Sequence, residues 1–477
     1  MLSLTALAAV LLLSACSEDS AERAQDETRP MFIPTTAEQV NRARKGNRLP
    51  VIQRKAQGPG RRTEAVPPPR PKLDRRTALS GFYGALDGLR AGTRRKPVTV
   101  LHLGDSHIAS DRFTGDLRDL LQARFGDAGR GLMMPGFPFD YYRARGVRFS
   151  RSKGWTAANS LKPAPGLYGL TGVRLSSQKK DTWLRLDSAA GAFEWAEVTF
   201  LTGARHGTAV MSVDGVRKTV KTGAPGEGPK TVRMQHKGSN LTVTAKGDGP
   251  ITVLSWAVGH NRPGIRYVNL GIPSATADIT RRWSEDLIAA DFARLKPDLV
   301  VLGYGTNEGF HDRLDVAAYE SRYEALFKRL QDLAPDASFL VIGPPDGARY
   351  PRFARKGRKY ADLRTTDCRV LSTKERGSYP SLVKAKSSRL AGWHPPPKLG
   401  AVRAALKRVA GRGTAYFWDW SGIMGGACGI HDWATSEPAL AMPDHVHMTA
   451  EGSRRTAQAL YDELMAGFAA HRKVASR

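Results

Sequence analysis

Apolar and polar positions follow three rhythms along the chain. Leu2 to Leu13 is an almost unbroken apolar run, interrupted only by Ser3 and Thr5. From Ser17 to residue 78, small polar residues, Arg and Pro dominate. Val66-Pro67-Pro68-Pro69-Arg70-Pro71 favours extended polyproline geometry, so this stretch reads as a linker. After Pro97 the pattern becomes globular. Val98 to Leu103 reads as a buried strand. A helix is expected from about Thr114, with Leu117, Leu120, Leu121 and Phe125 on one face and Gly126 as its stop. Buried strands are expected again at Asp298–Gly303, Ser338–Gly343 and Thr414–Trp420, with helices at Val316–Leu333, Lys398–Ala410 and Thr449–Ala469. Strands alternating with helices predict a doubly wound α/β domain.

Between residues 146 and 262 the period shortens to two. Trp183-Leu-Arg-Leu, Trp195-Ala-Glu-Val-Thr-Phe, Ala209-Val-Met-Ser-Val, Thr231-Val-Arg-Met, Leu241-Thr-Val-Thr and Ile251-Thr-Val-Leu-Ser-Trp256 alternate as strands do. Asp214-Gly215 and Lys246-Gly-Asp-Gly249 are hairpin-turn signals. The segment is expected to be an inserted β-sandwich that splits the α/β domain into 79–145 and 263–477. Trp183, Trp195 and Trp256 alternate like core residues.

Composition sharpens the setting. The 477 residues exceed one ordinary domain. Lys and Arg total 73 against 45 Asp and Glu, a net charge of +28, which points to anionic partners. The strand-rich segment alone carries 17 Lys/Arg against 7 Asp/Glu, so the charge is not confined to the linker. Three Cys exclude a disulfide-rich miniature scaffold and any four-Cys zinc site.

Leu13-Ser14-Ala15-Cys16 closes the apolar run and resembles a bacterial lipobox, although no Lys or Arg precedes it. The resemblance implies a signal peptide over 1–16, lipid on Cys16 and a membrane anchor. Ser17 after the Cys implies the outer membrane, facing the periplasm. The plainer reading is an ordinary signal peptide with an incidental Cys. In an oxidising compartment the remaining Cys368 and Cys428 are expected to pair, with two buried thiols as the alternative. Export argues against nucleic acid as the anionic partner, and no nucleic-acid motif is present.

Gly104-Asp105-Ser106-His107 follows the first buried strand and places Ser106 at its carboxyl end, where open α/β sheets bind ligands. Asn269-Leu270-Gly271-Ile272, Gly305-Thr306-Asn307-Glu308 and Asp444-His445-Val446-His447 come later in that order. Together they resemble the four blocks of the SGNH (GDSL-type) hydrolases. A Ser hydroxyl needs an adjacent base, and His447 would take its proton. Asp444, three residues earlier, would orient the imidazole. Donors for the oxyanion are expected from the Ser106 and Gly271 backbone N–H groups and the Asn307 side chain. Gly at 271 is expected because a side chain would crowd the oxyanion.

His445 is the rival base, but it adjoins Asp444 and neighbouring side chains diverge. His445-x-His447 as half a metal site lacks acidic or Cys partners nearby. The reading needs no cofactor and no metal. His107 is expected to be structural or to face substrate, and Asp105 to shape the nucleophile turn. Glu308 stands where many members of the family have Asp.

Wider stretches, from Gly104 to Gly115, Arg124 to Gly131, Trp418-Asp-Trp420 and Met424-Gly-Gly426, resemble bacterial peptidoglycan O-acetylesterases, which carry a carbohydrate-binding-like β insert. The resemblance implies removal of acetyl from the C6 hydroxyl of N-acetylmuramic acid. The alternatives are transfer of acetyl to a sugar by the same triad, an acetylesterase for another polysaccharide, and a non-catalytic wall-binding lipoprotein.

Overall fold

The computed structural model describes residues 75–139, 142–161 and 166–475. Cys16, the apolar run and nearly all of the expected linker lie outside these residues. Among the described residues no helix is long and apolar enough to cross a membrane.

Five parallel strands form the central sheet. Ile265–Gly271 is at one edge, followed by Val98–Gly104, Leu299–Gly303, Ser338–Gly343 and Tyr416–Asp419. In chain order this is second, first, third, fourth, fifth. The topology reverses beside Val98–Gly104, which makes the carboxyl end of that strand the switch point of a doubly wound sheet. Alternation divides the strand between two cores. Val98 and Val100 face Phe82, Leu117 and Phe468, while Leu101 and Leu103 join the cluster holding Phe327, Val402 and Leu406. Helices Ser80–Arg90, Phe113–Phe125 and Ala450–Ala475 contribute to the first cluster, and Val316–Leu333 and Leu399–Arg412 to the second.

The expected strands and helices of this domain all form, with ends shifted by a few residues. Helix Phe113–Phe125 stops at Gly126, whose φ of 92° suits a residue without Cβ. Ser80–Arg90 and Glu285–Leu295 are further helices with no counterpart in the sequence reading. Between the fourth and fifth strands lie the short helices Arg352–Arg355, Thr373–Gly377 and Tyr379–Lys384. Cys368 in this region is bonded to Cys428, with Cα atoms 5.8 Å apart.

The strand-rich segment holds two antiparallel sheets. One has the order Gly228–Met234, Trp195–Thr202, Ile251–Gly259, Val173–Ser177, Thr156–Asn159, with Gly131–Met133 also paired to Ile251–Gly259. The other runs Val147–Arg151, Trp183–Ser188, Asn240–Ala245, Thr208–Val213, Val216–Lys221. Gly131–Met133 thus joins these sheets from before the expected start at 146. Asp214-Gly215 does close a hairpin, both residues at positive φ. Lys246–Gly249 does not. It carries the chain from Asn240–Ala245 in one sheet to Ile251–Gly259 in the other. Trp195 and Trp256 are buried as expected. Trp183 is only half-buried, because Leu184 and Leu186 take the inward positions of its strand.

Candidate active site

The site begins with three glycines. Gly104 ends the first strand and stands level with Gly271 on one side and Gly303 on the other. This shelf admits the helical turn Ser106–Ala109. A Cβ on Gly271 would lie 2.2 Å from the Ala109 nitrogen and 2.7 Å from the Asp105 carbonyl oxygen. One on Gly104 would meet Ile108 Cγ1 at 2.4 Å. Asp105 caps the turn by accepting from the His107 N–H at 3.0 Å. Ser106 is therefore the first residue of a helical turn, and its own N–H has no intrahelical acceptor.

Gly271 departs from its expected role. The Ile272 N–H donates to the Gly104 carbonyl at 3.0 Å. Because strand N–H groups alternate in direction, the Gly271 N–H points away from the strand that leads to Ser106. Gly271 lacks a side chain for the close approach of the nucleophile turn, not for space around an oxyanion.

The other residues arrive from loops at the same end of the sheet. Ser106 Oγ is 3.0 Å from His447 Nε2, and His447 Nδ1 is 2.7 Å from Asp444 Oδ2. The second Asp444 oxygen accepts from the Val446 and His447 N–H groups at 2.9 and 3.0 Å. Burial acts to raise the Asp444 carboxyl. The His447 charge and these hydrogen bonds outweigh it and hold the group below the usual carboxylate range. Asp444 is thus an ionised acceptor that keeps the His447 proton on Nδ1 and leaves Nε2 facing the hydroxyl. Ser106 is 3% exposed and His447 9%, so the relay is largely shielded from bulk water.

His445 points elsewhere. Its Nδ1 donates to the Pro443 carbonyl, its Nε2 meets His431 Nδ1 at 3.0 Å, and its ring stacks on Trp393 with centroids 3.6 Å apart. Burial pushes its pKa down to about 4. Both nitrogens are engaged away from Ser106.

Asn307 lies on the short turn Thr306–Gly309 after the third strand. One of its Nδ2 protons goes to the Ala275 carbonyl at 2.8 Å, which leaves one unassigned. Its neighbour Glu308 is buried and accepts from the Ala277 N–H at 2.8 Å. Asn307 and Glu308 together pin the loop that follows Gly271. Burial pushes the Glu308 carboxyl up to about 7.

Two residues do more than the sequence suggested. His107 places Nδ1 3.1 Å from Asp105 Oδ1 and Nε2 3.0 Å from the Val446 carbonyl. Both partners are acceptors, so both bonds form only when the ring is an imidazolium. Burial acts to lower its pKa. Asp105, Val446 and Asp444 outweigh that and raise it. Asp111, at the end of the nucleophile turn, is buried with φ of 49°. Its oxygens accept from Thr114, Arg118, Arg130, Asn269 and the Arg145 N–H. Thr114 and Arg118, four apart, share one face of helix Phe113–Phe125, and Asp111 meets them from the turn just before it. Arg130 and Arg145 have no such local spacing, because they meet Asp111 only through the tertiary fold.

Residues 241–455 match the GDSL-like lipase/acylhydrolase family. The match contains Gly271, Asn307, Asp444 and His447. Ser106 falls outside it, on the far side of the strand-rich segment. No curated protein matches the sequence. A solved peptidoglycan O-acetylesterase aligns with 82% of this chain and 96% of its own at 25% identity, with a TM-score of 0.65. An acetyl xylan esterase aligns with 42% of this chain and 81% of its own at 14% identity and TM-score 0.27. A family two carbohydrate esterase from Clostridium thermocellum, solved with cellohexaose, aligns with 71% of this chain and 100% of its own at 12% identity and TM-score 0.27.

Proposed function

We propose that this chain, an acylhydrolase with a GDSL-like domain over residues 241–455, is a serine esterase that removes O-acetyl groups from cell-wall peptidoglycan, at the C6 hydroxyl of N-acetylmuramic acid. The observation that carries the reading is the Ser106–His447–Asp444 relay, with spacings of 3.0 and 2.7 Å, in a chain similar over most of its length to a peptidoglycan O-acetylesterase.

In this reading Ser106 Oγ attacks the acetyl carbonyl as His447 Nε2 takes its proton. Asp444 stabilises the imidazolium. The oxyanion is met by the Ser106 N–H and the second Nδ2 proton of Asn307. His447 returns the proton to the C6 oxygen as it leaves, and the acetyl group stays on Ser106. Water, activated by the same His, then releases acetate. The strand-rich segment serves as an inserted β-sandwich that holds glycan. Lipid on Cys16 anchors the enzyme in the outer membrane, facing its substrate in the periplasm.

Acetate release from O-acetylated peptidoglycan by the wild type and by Ser106→Ala tests the core of this proposal. Release by the wild type, with a loss of roughly 10^4- to 10^6-fold in the variant, is expected. Cleavage of small aryl acetates without release from peptidoglycan would move the substrate to another acetylated glycan.

A further inference from the structure

The loop that carries Asp444 and His447 is held from two segments, and one disulfide joins those segments. His445 stands inside the loop at φ of 56°, a conformation that its surroundings must sustain in a residue with a side chain. Trp393 covers one face of the His445 ring, with centroids 3.6 Å apart and planes 17° apart. His431 holds the ring's edge, its Nδ1 3.0 Å from His445 Nε2. His445 Nδ1 already donates to the Pro443 carbonyl, so Nε2 is the acceptor and His431 the donor. The His445 carbonyl in turn accepts from the Ala348 N–H at 2.9 Å.

Trp393 and His431 each lead to a Cys. Trp393 pairs with Cys368 in a parallel bridge, and the Arg369 N–H donates to the Trp393 carbonyl at 3.0 Å. His431 lies on the short helix Gly429–Thr435, and its N–H donates to the Cys428 carbonyl at 2.8 Å. Trp433 on the same helix accepts from the Leu440 and Ala441 N–H groups at 2.7 and 3.0 Å, so this helix also grips the chain that enters the loop. The Cys368–Cys428 bond closes the two segments around His445. Both Cys are half-buried, next to exposed Asp367, Arg369 and Ala427, whereas Trp393 is fully buried. The bond is thus within reach of a dissolved reductant, and the contacts it secures are not.

We propose that the Cys368–Cys428 bond positions the catalytic loop, with Trp393 and His431 as the positioning residues that carry its effect to His445, so that full esterase turnover needs the oxidised pair. The proposal rests on the Ser106–His447–Asp444 esterase reading and not on which glycan is the substrate. Opening the bond takes two electrons and two protons from a dithiol. The dithiol becomes a disulfide, and the chain is left with two thiols. The triad keeps every chemical group, and what it loses is alignment.

The test is a cycle on the full chain with an aryl acetate as substrate. Wild type and His445→Asn are each assayed oxidised and after reduction by excess dithiol, with thiol counting to show that the bond is open. Asn accepts the positive φ of this position and lacks the ring. In the wild type, reduction is expected to lower kcat about tenfold with KM within about twofold, and reoxidation to restore it. Oxidised His445→Asn is expected to be about tenfold slower already, and reduction to change it by less than about twofold. A bond that serves stability alone gives the same fold loss in both proteins. That result, or full kcat in the reduced wild type, would overturn the proposal. Should reduction unfold the chain, the oxidised variants decide: kcat is expected to fall about fivefold in His431→Leu and to hold in His431→Gln, which keeps a donor. Equal kcat in those two would overturn the proposal. If the oxidised wild type cleaves no ester, the esterase reading fails and this proposal falls with it.

Discussion

His107 Nε2 lies 3.0 Å from the Val446 carbonyl oxygen, so the residue after the nucleophile holds the loop that carries the base. The same ring donates from Nδ1 to Asp105, the cap of the nucleophile turn. One buried imidazolium therefore joins the two halves of the relay, which are 341 residues apart in sequence. The distance between Ser106 Oγ and His447 Nε2 depends on this bridge.

Replacing His107 with Gln keeps the volume roughly constant and removes one of the two donors. A hydrogen bond to a charged group contributes about 1.5–3 kcal/mol. If that contribution is spent on aligning the relay, kcat falls about 10- to 100-fold while KM changes little. Steady-state kinetics on an aryl acetate, paired with thermal unfolding to show that the fold persists, measures this. An unchanged kcat would mean that the loop holds its place without His107.

Asp111→Asn isolates a charge from a shape. Asn tolerates the positive φ that Asp111 adopts, so the backbone is not the variable. Two guanidinium groups, from Arg118 and Arg130, lose their buried counter-charge. The cost is about 3–5 kcal/mol, read as a lower urea midpoint. Burial alone would raise the Asp111 carboxyl, but Arg130 and Arg118 hold it below its ordinary 3.8. Its contribution is thus present above that value and is lost as pH falls through the depressed one. A midpoint unchanged by the substitution would remove Asp111 as the clasp of this region.

Glu308 gives the opposite pH dependence. Burial raises its carboxyl from 4.5 to about 7, so between those values the folded chain keeps a proton that the unfolded chain has released. Stability is then fullest below 4.5 and falls as pH rises through 7, by roughly 3 kcal/mol in total. Glu308→Gln is neutral throughout and can still accept from the Ala277 N–H. Urea unfolding at pH 5 and pH 8 is expected to show a smaller loss in the variant than in the wild type. Equal losses in the two proteins would refute a titrating Glu308.

The Cys368–Cys428 bond closes a loop of 60 residues. In the chain-entropy model, removing it by the double change Cys368→Ser and Cys428→Ser costs on the order of 4 kcal/mol. Denaturation midpoints of the two proteins, with free-thiol counting on the wild type, check this. Free thiols at both positions would contradict the bond.

The sequence by itself determined the elements and the chemistry. Val98–Gly104 and Ser338–Gly343 are buried throughout and mostly apolar because both their faces are covered, and that pattern is readable without coordinates. The order of Ser106, Asn307, Asp444 and His447 is a one-dimensional fact, and so is the change to period two within 146–262. Contacts between elements were decided only by the tertiary structure. Lys246–Gly249 has the local chemistry of a hairpin turn, yet its two strands belong to different sheets, because pairing is settled by which edges are open. Gly271 has the composition of an oxyanion loop, yet the Ser106–Ala109 turn fills the space beside it. His107 and Glu308 look like ordinary polar residues in the sequence. Burial raises Glu308 to about 7, whereas at His107 burial acts the other way and is outweighed by Asp105, the Val446 carbonyl and Asp444, which raise the imidazole. Periodicity records how each residue meets its own strand or helix. Charge state and strand pairing depend on what the rest of the chain brings alongside.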